Sequence, residues 1–386
     1  MTDQFGRSIR TLFALDENIV HLNHGSYGAT PRAILEFQHK LRLELEREPS
    51  NFMHRRAPTL SRRAAKAAAT IVQAKPDQIG MIENATMGVN TVLSSLSFTP
   101  GDEILITNQT YGAVRNAVVH VGKRTGASIV TITLPFPKPD EAAILDAFRE
   151  ALGEKTKLVI VDHVTSATAL VLPVSSIIAM ARKVGAITLV DGAHAPGMLE
   201  INVENLDCDF YTANCHKWLC APKGCAFLWS AYNKTKLLHP VVISHGYGSG
   251  LSAEFDWTGT RDATAQFVLP EAISFLDQFG LDAIRAYNHH LATTAANFLK
   301  ETWNTQMGAE NRFFGSMAMV ELPILREATQ ENAQALRWHL FDEHAIQVPI
   351  HALSGRLWVR ISAQIYNEMS DYESLSSAIK VIAKSG

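Results

Sequence analysis

The segment 186–224 is the most informative part of the chain; it begins AITLVDGAHAPG (186–197) and ends TANCHKWLCAPKG (212–224). The run 186–190 is apolar and contains β-branched residues, which predicts a buried strand. Asp191 follows this run directly, and small residues and glycine come next. We therefore expect its carboxylate at the carboxyl end of a strand, where open α/β sheets bind their ligands.

Lys217 lies later in the same segment, between His216 and Trp218. Burial lowers the pKa of a Lys because it disfavours the charged ammonium, and the neutral amine can attack an aldehyde. An acid at a strand end and a Lys in an apolar, aromatic setting together predict a pyridoxal phosphate (PLP) site. Lys217 would form a Schiff base with the cofactor, and Asp191 would pair with the protonated pyridine nitrogen. Taken singly, a helix-capping Asp and a solvated Lys are the alternatives.

Composition excludes several classes of protein. The chain has 386 residues, of which 47% are hydrophobic and 19% charged, with a net charge of −3. These values are typical of a soluble enzyme and give no electrostatic reason to expect nucleic-acid or membrane binding. The N-terminus lacks a signal-peptide pattern, and no uncharged apolar run is long enough to span a bilayer. We therefore expect a cytoplasmic protein with no nucleic-acid or membrane partner.

The four cysteines cluster around Lys217, which raises the alternative of a zinc site. Their spacings lack the short CxxC pairs that metal sites usually contain. Reduced, buried thiols are the favoured interpretation, and no metal is expected. The residues are Cys208, Cys215, Cys220 and Cys225.

Alternating strand and helix patterns between residues 79 and 191 predict a mainly parallel sheet with right-handed crossovers. From about Glu271 we expect one long helix that leads into a smaller α/β domain, with strands at 316–322 and 357–362. The predicted organisation has an N-terminal segment that packs with the small domain, a large PLP-binding domain and a small C-terminal domain. Their ranges are 1–50, 51–270 and 271–386.

Several motifs occur in one order along most of the chain. With them the sequence resembles the class V aminotransferase family of PLP-dependent enzymes, fold type I, and looks most similar to its isopenicillin N epimerase-like branch. The resemblance implies an α/β fold, with a large domain around a mainly parallel sheet and a smaller C-terminal α/β domain. The motifs are HLNHGSYGATP (21–31), MIENATMGVN (81–90), DHVTSATALVLPV (162–174), LVDGAHAPG (189–197), YTANCHKWLCAPKG (211–224), WTGTRD (257–262) and LWVRIS (357–362).

Candidate cofactor contacts come first from strand ends. Ala85 and Thr86 lie at a predicted strand-to-helix turn, where free amides and the helix dipole favour an anion such as a phosphate; an ordinary N-cap Thr is the alternative. Tyr111 follows the strand 103–107 and is expected either to stack on the pyridine ring or to be a core or rim residue. The resemblance implies that Thr165 or Ser166 contacts the phenolic oxygen O3′, and the choice between them stays open.

Further contacts are implied by the resemblance. His194 is expected near O3′, with a plain loop histidine as the alternative. Asn214 and His216 are expected near the phosphate, although the family more often has Ser or Thr at the position of Asn214. Thr260 resembles a threonine that reaches the phosphate of the partner subunit, which implies a homodimer with composite active sites.

Substrate contacts are expected from both ends of the chain. Asn23 and His24 lie in a Gly- and Pro-containing loop that borders the substrate site in the family. Arg360 alternates with apolar residues along its predicted strand, and its guanidinium suits bidentate binding of a carboxylate. The resemblance assigns it the α-carboxylate of a small amino-acid substrate; a surface Arg is the alternative.

The reaction follows only in part from these residues. The amine of Lys217 would remove or return the α-proton of an amino acid, and the subsequent fate of the substrate decides the activity. Epimerisation or racemisation is the first expectation, a β-eliminating C–S lyase the second and transamination the third. Because no cysteine follows Cys225, a persulfide-forming desulfurase mechanism is not expected. A PLP-binding regulator or an inactive scaffold is the non-catalytic alternative, and the presence of Lys217 argues against an inactive scaffold.

Overall fold

The computed structural model describes residues 5–385, with the side chain of residue 385 outside the description. Its strands, in chain order, are β1 (Val20–His21), β2 (Ile79–Ile82), β3 (Glu103–Thr107), β4 (Ser128–Ile132), β5 (Thr156–Asp162), β6 (Ile187–Asp191), β7 (Phe210–Asn214), β8 (Ala226–Ser230), β9 (Met317–Glu321), β10 (Ile346–Gln347), β11 (Ile350–Leu353) and β12 (Arg356–Ser362).

The helices alternate with these strands through most of the chain. In chain order they are α1 (Arg7–Arg10), α2 (His24–Tyr27), α3 (Arg32–Arg47), α4 (Pro49–Asn51), α5 (Ala57–Ile71), α6 (Ala85–Ser95), α7 (Gly112–Thr125), α8 (Glu141–Ala151), α9 (Val174–Lys183), α10 (Val203–Leu206), α11 (Leu251–Asp256), α12 (Thr264–Phe267), α13 (Leu269–Asp277), α14 (Leu281–Trp303), α15 (Gln330–His344) and α16 (Met369–Ser385). A π-helical turn spans Phe52–Arg56, and short 3₁₀ turns span Pro76–Gln78, Tyr232–Leu237 and Asn311–Phe313.

The central sheet has seven strands in the order β2-β8-β7-β6-β5-β3-β4. Strands β3 to β7 pair in parallel, and β8 pairs antiparallel with both of its neighbours. The expectation of a mainly parallel sheet is therefore confirmed. Since β5, β6 and β7 run in the same direction, their carboxyl ends, with Asp162, Asp191 and Asn214, meet at one edge.

Both faces of the inner strands β5 and β6 are covered, which explains why these strands are mostly apolar. Ile160 and Leu189 pack into one buried cluster, with α6 and α7. Val161 and Val190, one residue further along the same strands, pack into the other. The side chains alternate between two cores, so the polar residues of these strands are confined to the strand ends.

A smaller antiparallel sheet, in the order β11-β12-β9, is formed by the C-terminal part of the chain. Strand β1 pairs with β10, so the N-terminal segment contacts this part of the molecule. The domain boundaries stay a prediction. No helix among residues 5–385 is long and apolar enough to cross a membrane.

The expected single helix from Glu271 is wrong in one respect, because the structure has two helices, α13 and α14. Gly280 separates them with φ of 79°, and its N–H donates to the carbonyl oxygens of Leu276 and Asp277. A glycine in the left-handed region is the commonest way to end a helix. The apolar spacing continues across this break, which is why periodicity alone did not detect it.

Candidate active site

A cavity of about 360 Å³ lies at the carboxyl ends of β5, β6 and β7, the edge at which ligands bind in sheets of this kind. The beginning of α6, the turn before α7 and the loop around α2 complete its walls. The cavity is lined by Ser26, Tyr27, Asn84, Ala85, Thr86, Tyr111, Asp162, Val164, Ser166, Asp191, Ala193, His194, Asn214, His216 and Lys217.

The segment that carries Lys217 is held in place by its own backbone. After β7 the N–H groups of Cys215 and His216 both donate to the carbonyl oxygen of Cys225, at 2.9 and 3.2 Å. Gly28, with φ of 69°, packs so closely that a Cβ there would lie 1.9 Å from the carbonyl oxygen of His216. A glycine at position 28 is thus required for the loop 21–31 to pack against the segment that carries Lys217.

Lys217 is buried, and its Nζ lies 3.0 Å from Nε2 of His194. Burial and, to a smaller extent, the guanidinium of Arg360 lower the pKa of Lys217 to about 7, while Asp191 and Asp162 act in the opposite direction. Burial and the Lys217 charge hold the pKa of His194 well below its usual range, so the imidazole is neutral. The amine is therefore available in its nucleophilic form near neutral pH.

Two carboxyl groups lie side by side in the cavity, because Asp162 and Asp191 are register partners on β5 and β6. Oδ1 of Asp191 accepts the N–H of Ala193 at 3.0 Å, and burial raises the pKa of Asp191 despite this bond and the Lys217 charge. Burial and then Asp191 raise the pKa of Asp162 well above its usual value. Oδ2 of Asp162 has no hydrogen-bond partner within residues 5–385.

The beginning of α6 is fixed by two asparagines. Oδ1 of Asn84 accepts the N–H of Met87 at 2.9 Å and caps the helix. Oδ1 of Asn214 accepts the N–H of Ala85, also at 2.9 Å, across 129 residues of sequence. Asn214 and Ala85 are therefore hydrogen-bonded to each other. Thr86 lies in the first turn of α6 and lines the cavity. Asn84, rather than Thr86, is the cap.

Thr165 and Ser166 differ in their position relative to the cavity. The hydroxyl of Thr165 bonds to Thr168 at 2.7 Å and accepts the N–H of Leu170 at 2.8 Å, and the residue is fully buried away from the cavity. Ser166 lines the cavity. The expected O3′ contact is therefore assigned to Ser166 as a prediction.

Tyr111 and His216 both lie on the cavity wall. Tyr111 directly precedes α7 and is 48% exposed, so it stands at the mouth rather than in the core. Burial and the neighbouring Lys217 lower the pKa of His216 to about 4, and its Nδ1 lies 3.2 Å from the carbonyl oxygen of Cys225. Their stacking and phosphate roles stay predictions.

Arg360 is buried on β12, and its protein partners are neutral oxygens. Its guanidinium donates to the Ser26 hydroxyl at 3.0 Å, to Oδ1 of Asn23 at 3.3 Å and to the carbonyl oxygen of Ser166. Nε has no partner among the described residues. Burial and, second, Arg337 lower the pKa of Arg360 to about 10, which leaves it charged. A buried cation without a carboxylate partner suits an anionic group of a ligand.

The two candidates of the N-terminal loop have different surroundings. Asn23 contacts Arg360 and the Ser26 hydroxyl, so it holds the guanidinium in place. His24 lies behind the lysine, with Nε2 3.0 Å from the carbonyl oxygen of Lys217 and Nδ1 2.9 Å from the Tyr366 hydroxyl. It does not line the cavity, and this placement argues against the expected contact with substrate.

Thr260 is exposed and does not line the cavity of its own chain. The adjacent Arg261 forms an ion pair with Glu83, so the loop lies beside the beginning of α6. A contact with the phosphate of a partner subunit stays a prediction.

Ser26, Tyr27, Asn84 and Asp162 were not singled out from the sequence. Asp162 follows an apolar strand directly, the same signal that identified Asp191, and it could have been found in that way. The side chains of Ser26 and Tyr27 face the cavity only because the loop 21–31 folds onto the Lys217 segment, and a linear pattern does not show this.

All four cysteines are free and buried, as expected. Within residues 5–385 no group of three or more His, Cys, Asp or Glu side chains is arranged to hold a metal ion.

The residues present fit PLP. Lys217 offers a buried amine of lowered pKa for the aldehyde. Asp191 is a buried carboxyl group to which no Lys or Arg side chain of the described chain donates a hydrogen bond, and a cationic ring nitrogen would favour its ionised form. The first turn of α6 suits a phosphate.

Comparison with known proteins supports the same conclusion. The family model described as aminotransferase class-V matches residues 30–375. The chain is 33% identical to the putative L-cysteine desulfhydrase 1 of Oryza sativa subsp. japonica, over 96% of this chain and 84% of that protein. It is 32% identical to the isopenicillin N epimerase of Streptomyces clavuligerus, over 95% of this chain and 96% of that protein.

Among solved structures, the fold resembles a mutant of the protein C-DES that has glycine covalently linked to its PLP cofactor. The TM-score is 0.82 at 21% identity, over 96% of this chain and 98% of that one. This likeness shows the fold type I architecture, and the family match spans most of the chain. The chain therefore belongs to the class V aminotransferase family, and its cofactor is pyridoxal phosphate.

Proposed function

We propose that the chain is a C–S lyase that eliminates the sulfur substituent from the β-carbon of an amino acid. The observation that carries this proposal is the contact between Lys217 Nζ and His194 Nε2. The described cavity thus has one directly connected proton-transfer pair. Elimination needs a single amine that takes a proton and returns it, whereas epimerisation needs acid–base groups on opposite faces of the α-carbon.

We assign the cofactor contacts as part of the same proposal. In the absence of substrate Lys217 would hold PLP covalently, Asp191 would pair with its ring nitrogen, and Thr86 with the beginning of α6 would bind its phosphate. Ser166 and His194 would contact O3′. When bound, PLP supplies the electron sink that acidifies the α-hydrogen of an amino acid.

The residues of the chain then have defined tasks. Arg360 binds the α-carboxylate of the substrate, since its guanidinium lacks an anionic partner in the protein. Nζ of Lys217 removes the α-hydrogen as a proton, and the electrons of that C–H bond form the Cα–Cβ double bond. The electron pair of the C–S bond leaves with sulfur, which receives the proton from Lys217. Water then converts the carbon fragment to an oxo acid and ammonia.

The persulfide route of cysteine desulfurases has no support here. It requires a nucleophilic thiol on a mobile loop in the C-terminal half, and no cysteine follows Cys225. Burial raises the pKa of Cys220 to about 12 and holds that of Cys225 well above its usual range, so these two thiols are poor nucleophiles. Sulfur would therefore leave as sulfide or a free thiol.

Epimerisation, the first expectation from the sequence, remains the second candidate. The similarity to an isopenicillin N epimerase covers nearly the full length of both chains, so it supports this activity as well. A transferase activity is the third, because the same removal of the α-proton begins all three reactions.

One experiment separates these activities. The PLP-loaded protein is incubated with L-cysteine and S-alkyl cysteines in heavy water, and the products are identified by mass spectrometry. Sulfide or thiol with pyruvate and ammonia supports the lyase. Intact substrate with deuterium at the α-carbon and altered chirality contradicts it and supports the epimerase; an oxo acid that retains its sulfur supports transamination. Lys217→Ala should lose every product, and Lys236→Ala, at an exposed lysine, serves as the control.

We also propose that the protein works as a homodimer in the cytoplasm. Support for the dimer is the exposed loop of Thr260, together with an exposed apolar stretch that includes Val241, Val242 and Ile243. Support for the compartment is the presence of four free cysteines. Light scattering of the purified holoenzyme and fractionation of the source cells test the two proposals.

A further inference from the structure

A second cavity, of about 420 Å³, adjoins the active-site cavity and shares Tyr111 and Ser166 with it. We call it the side crevice. It continues the same edge of the sheet towards β4 and is covered by the hairpin of β11 and β12. It is lined by Asn108, Gln109, Thr110, Tyr111, Gly112, Thr133, Leu134, Phe136, Ser166, Ala167, His351, Leu353 and Ser354.

The walls of the side crevice are held together by specific contacts. The hydroxyl of Ser354 donates to the carbonyl oxygen of Phe136 at 3.0 Å, which joins the hairpin to the segment after β4. The rings of Phe136 and Trp358 meet edge to face with centroids 5.0 Å apart, and Nε1 of Trp358 donates to the carbonyl oxygen of Leu353. The crevice is therefore built before any ligand enters, which lowers the cost of binding.

The chemistry of the side crevice is uncharged. None of its lining residues, all within the described chain, is Asp, Glu, Lys or Arg. Burial, Arg360 and Arg337 lower the pKa of His351 to about 3, so this imidazole is neutral. Nε2 of His351 is buried and has no hydrogen-bond partner among residues 5–385. An unpaired buried polar atom is costly, and a ligand atom that pairs with it would recover that cost.

The position of the side crevice relative to Arg360 connects it to the substrate. The Arg360 guanidinium donates to the carbonyl oxygen of Ser166, which stands on the wall between the two cavities. A carboxylate bound at Arg360, with the α-carbon near Lys217, brings the rest of an amino acid to this wall.

We propose that the side crevice binds the part of the substrate beyond its β-position, and that this part is uncharged and carries one hydrogen-bonding atom. Resting on the proposed lyase activity, the substrate class is then cysteine with a neutral S-substituent rather than cysteine alone. The binding site itself does not depend on the fate of the C–S bond.

Binding is tested with amino acids that lack a β leaving group. Calorimetry on the PLP-loaded holoenzyme measures Kd for L-alanine, L-norvaline and L-norleucine. Each added methylene should lower Kd roughly fourfold, because it leaves water for an apolar wall. A Kd that is constant or rises along the series, or no binding of any member, would overturn the proposal.

Two matched variants localise the effect. Thr133 is an exposed residue of the side-crevice wall, and Thr131 is an exposed residue of β4 outside it. Thr133→Trp should abolish the fall in Kd from L-alanine to L-norleucine, and it should change the Kd of L-alanine less than the Kd of L-norleucine. Thr131→Trp should keep the fall in Kd along the series. Equal behaviour of the two variants would show that the longer chains bind elsewhere.

His351 is tested with a polar analogue. We expect 6-hydroxy-L-norleucine to lose roughly five- to tenfold in affinity in His351→Leu, with L-alanine unaffected. If His351→Leu binds 6-hydroxy-L-norleucine as tightly as the unmodified protein does, the proposed hydrogen bond to His351 is refuted. Thiol release from S-alkyl cysteines is measured separately. If no thiol is released but Kd falls with chain length, the lyase activity is refuted and the binding role of the side crevice stands. If thiol is released but Kd does not fall with chain length, the binding role is refuted and the lyase activity stands.

Discussion

The rate at which Lys217 accepts PLP should depend on pH in a way that reports the surroundings of the amine. The amine attacks the aldehyde only when neutral, and its pKa is lowered from 10.5 to about 7. The rate of covalent attachment of PLP to the apoprotein should therefore rise about tenfold per pH unit below pH 7 and level off above it. Stopped-flow absorbance of the cofactor measures this profile.

Arg360→Gln provides the control for this profile. Its guanidinium is the second cause of the lowered pKa of Lys217, after burial. Removing the positive charge should move the midpoint to higher pH and leave the plateau rate intact. A midpoint near 10 in the unmodified protein would contradict the interpretation.

Asp162 and Asp191 should respond differently to the same substitution. Burial raises the pKa of Asp162 well above 3.8, so folding takes up a proton there and stability falls as the pH rises above about 4. Asp162→Asn should thus raise the free energy of unfolding of the apoprotein near pH 7.5, and the gain should shrink near pH 4. Denaturant titrations at the two pH values measure it.

Asp191→Asn is the comparison for PLP binding. On the proposed assignment it removes the carboxylate that would face the ring nitrogen, and it should cost roughly a hundredfold in turnover, the size typical of a lost electrostatic contact in an active site. Asp162→Asn should bind PLP within a few-fold of the unmodified protein. Equal losses of turnover in Asp191→Asn and Asp162→Asn would mean that both carboxyl groups face the ring nitrogen.

At this scale, the sequence indicated the residues whose position depends on one strand. Asp191 ends an apolar run, so its place on the cavity edge follows from local pattern alone. His24 lies in a loop, and its direction behind Lys217 depends on Tyr366 and the lysine carbonyl group, which are distant in sequence. Local pattern therefore identified the loop but not the direction of its side chain.

Among the elements, the first turn of α6 depends on Asn214 at the end of β7. Asn214→Ala leaves the buried N–H of Ala85 without its partner and should cost roughly 1–3 kcal/mol of stability. It should also weaken PLP binding, because the proposed phosphate site is the same turn. Denaturation and PLP titration measure the two effects.

Asn214→Asp separates the two roles of this residue. It keeps an acceptor for Ala85, so stability should be retained, but its negative charge would lie at the proposed phosphate site and should weaken PLP binding. A variant that binds PLP normally would place the phosphate elsewhere.

The elements of the large sheet were predictable because their apolar runs are bounded by turn residues. Strand β3 was placed at residues 103–107, where the structure has it. The pairing of Asn214 with Ala85 was not predictable, because it joins two strand ends through the order of the whole sheet. Gly280 was overlooked for the opposite reason, since one residue interrupts a long regular pattern.

For the whole molecule, the composite site implied by Thr260 has a direct test. If Thr260 serves the partner subunit, Lys217→Ala and Thr260→Ala are each defective, yet mixed dimers contain one intact site. Unfolding and refolding equal amounts together should restore roughly a quarter of the full activity. No recovery would place Thr260 in its own subunit's site, beside Glu83 and α6.

The mainly parallel sheet was anticipated, but the side crevice was not. It requires the hairpin of β11 and β12 to close over the segment after β4, and the two are more than 200 residues apart. Contacts of this kind depend on how the parts of the chain dock. Motifs that lie within one part carry no information about them.

The burial of all four thiols would have a chemical consequence if the enzyme releases sulfide or thiols, as proposed. Because a thiol reacts as the thiolate, the inaccessible cysteines beside Lys217 resist mixed-disulfide formation with the enzyme's own product. The folded protein should leave a thiol-reactive dye colourless, and unfolding should expose four equivalents at once. The folded state would then protect the cysteines from reaction with the released product, and a destabilised variant would lose this protection first.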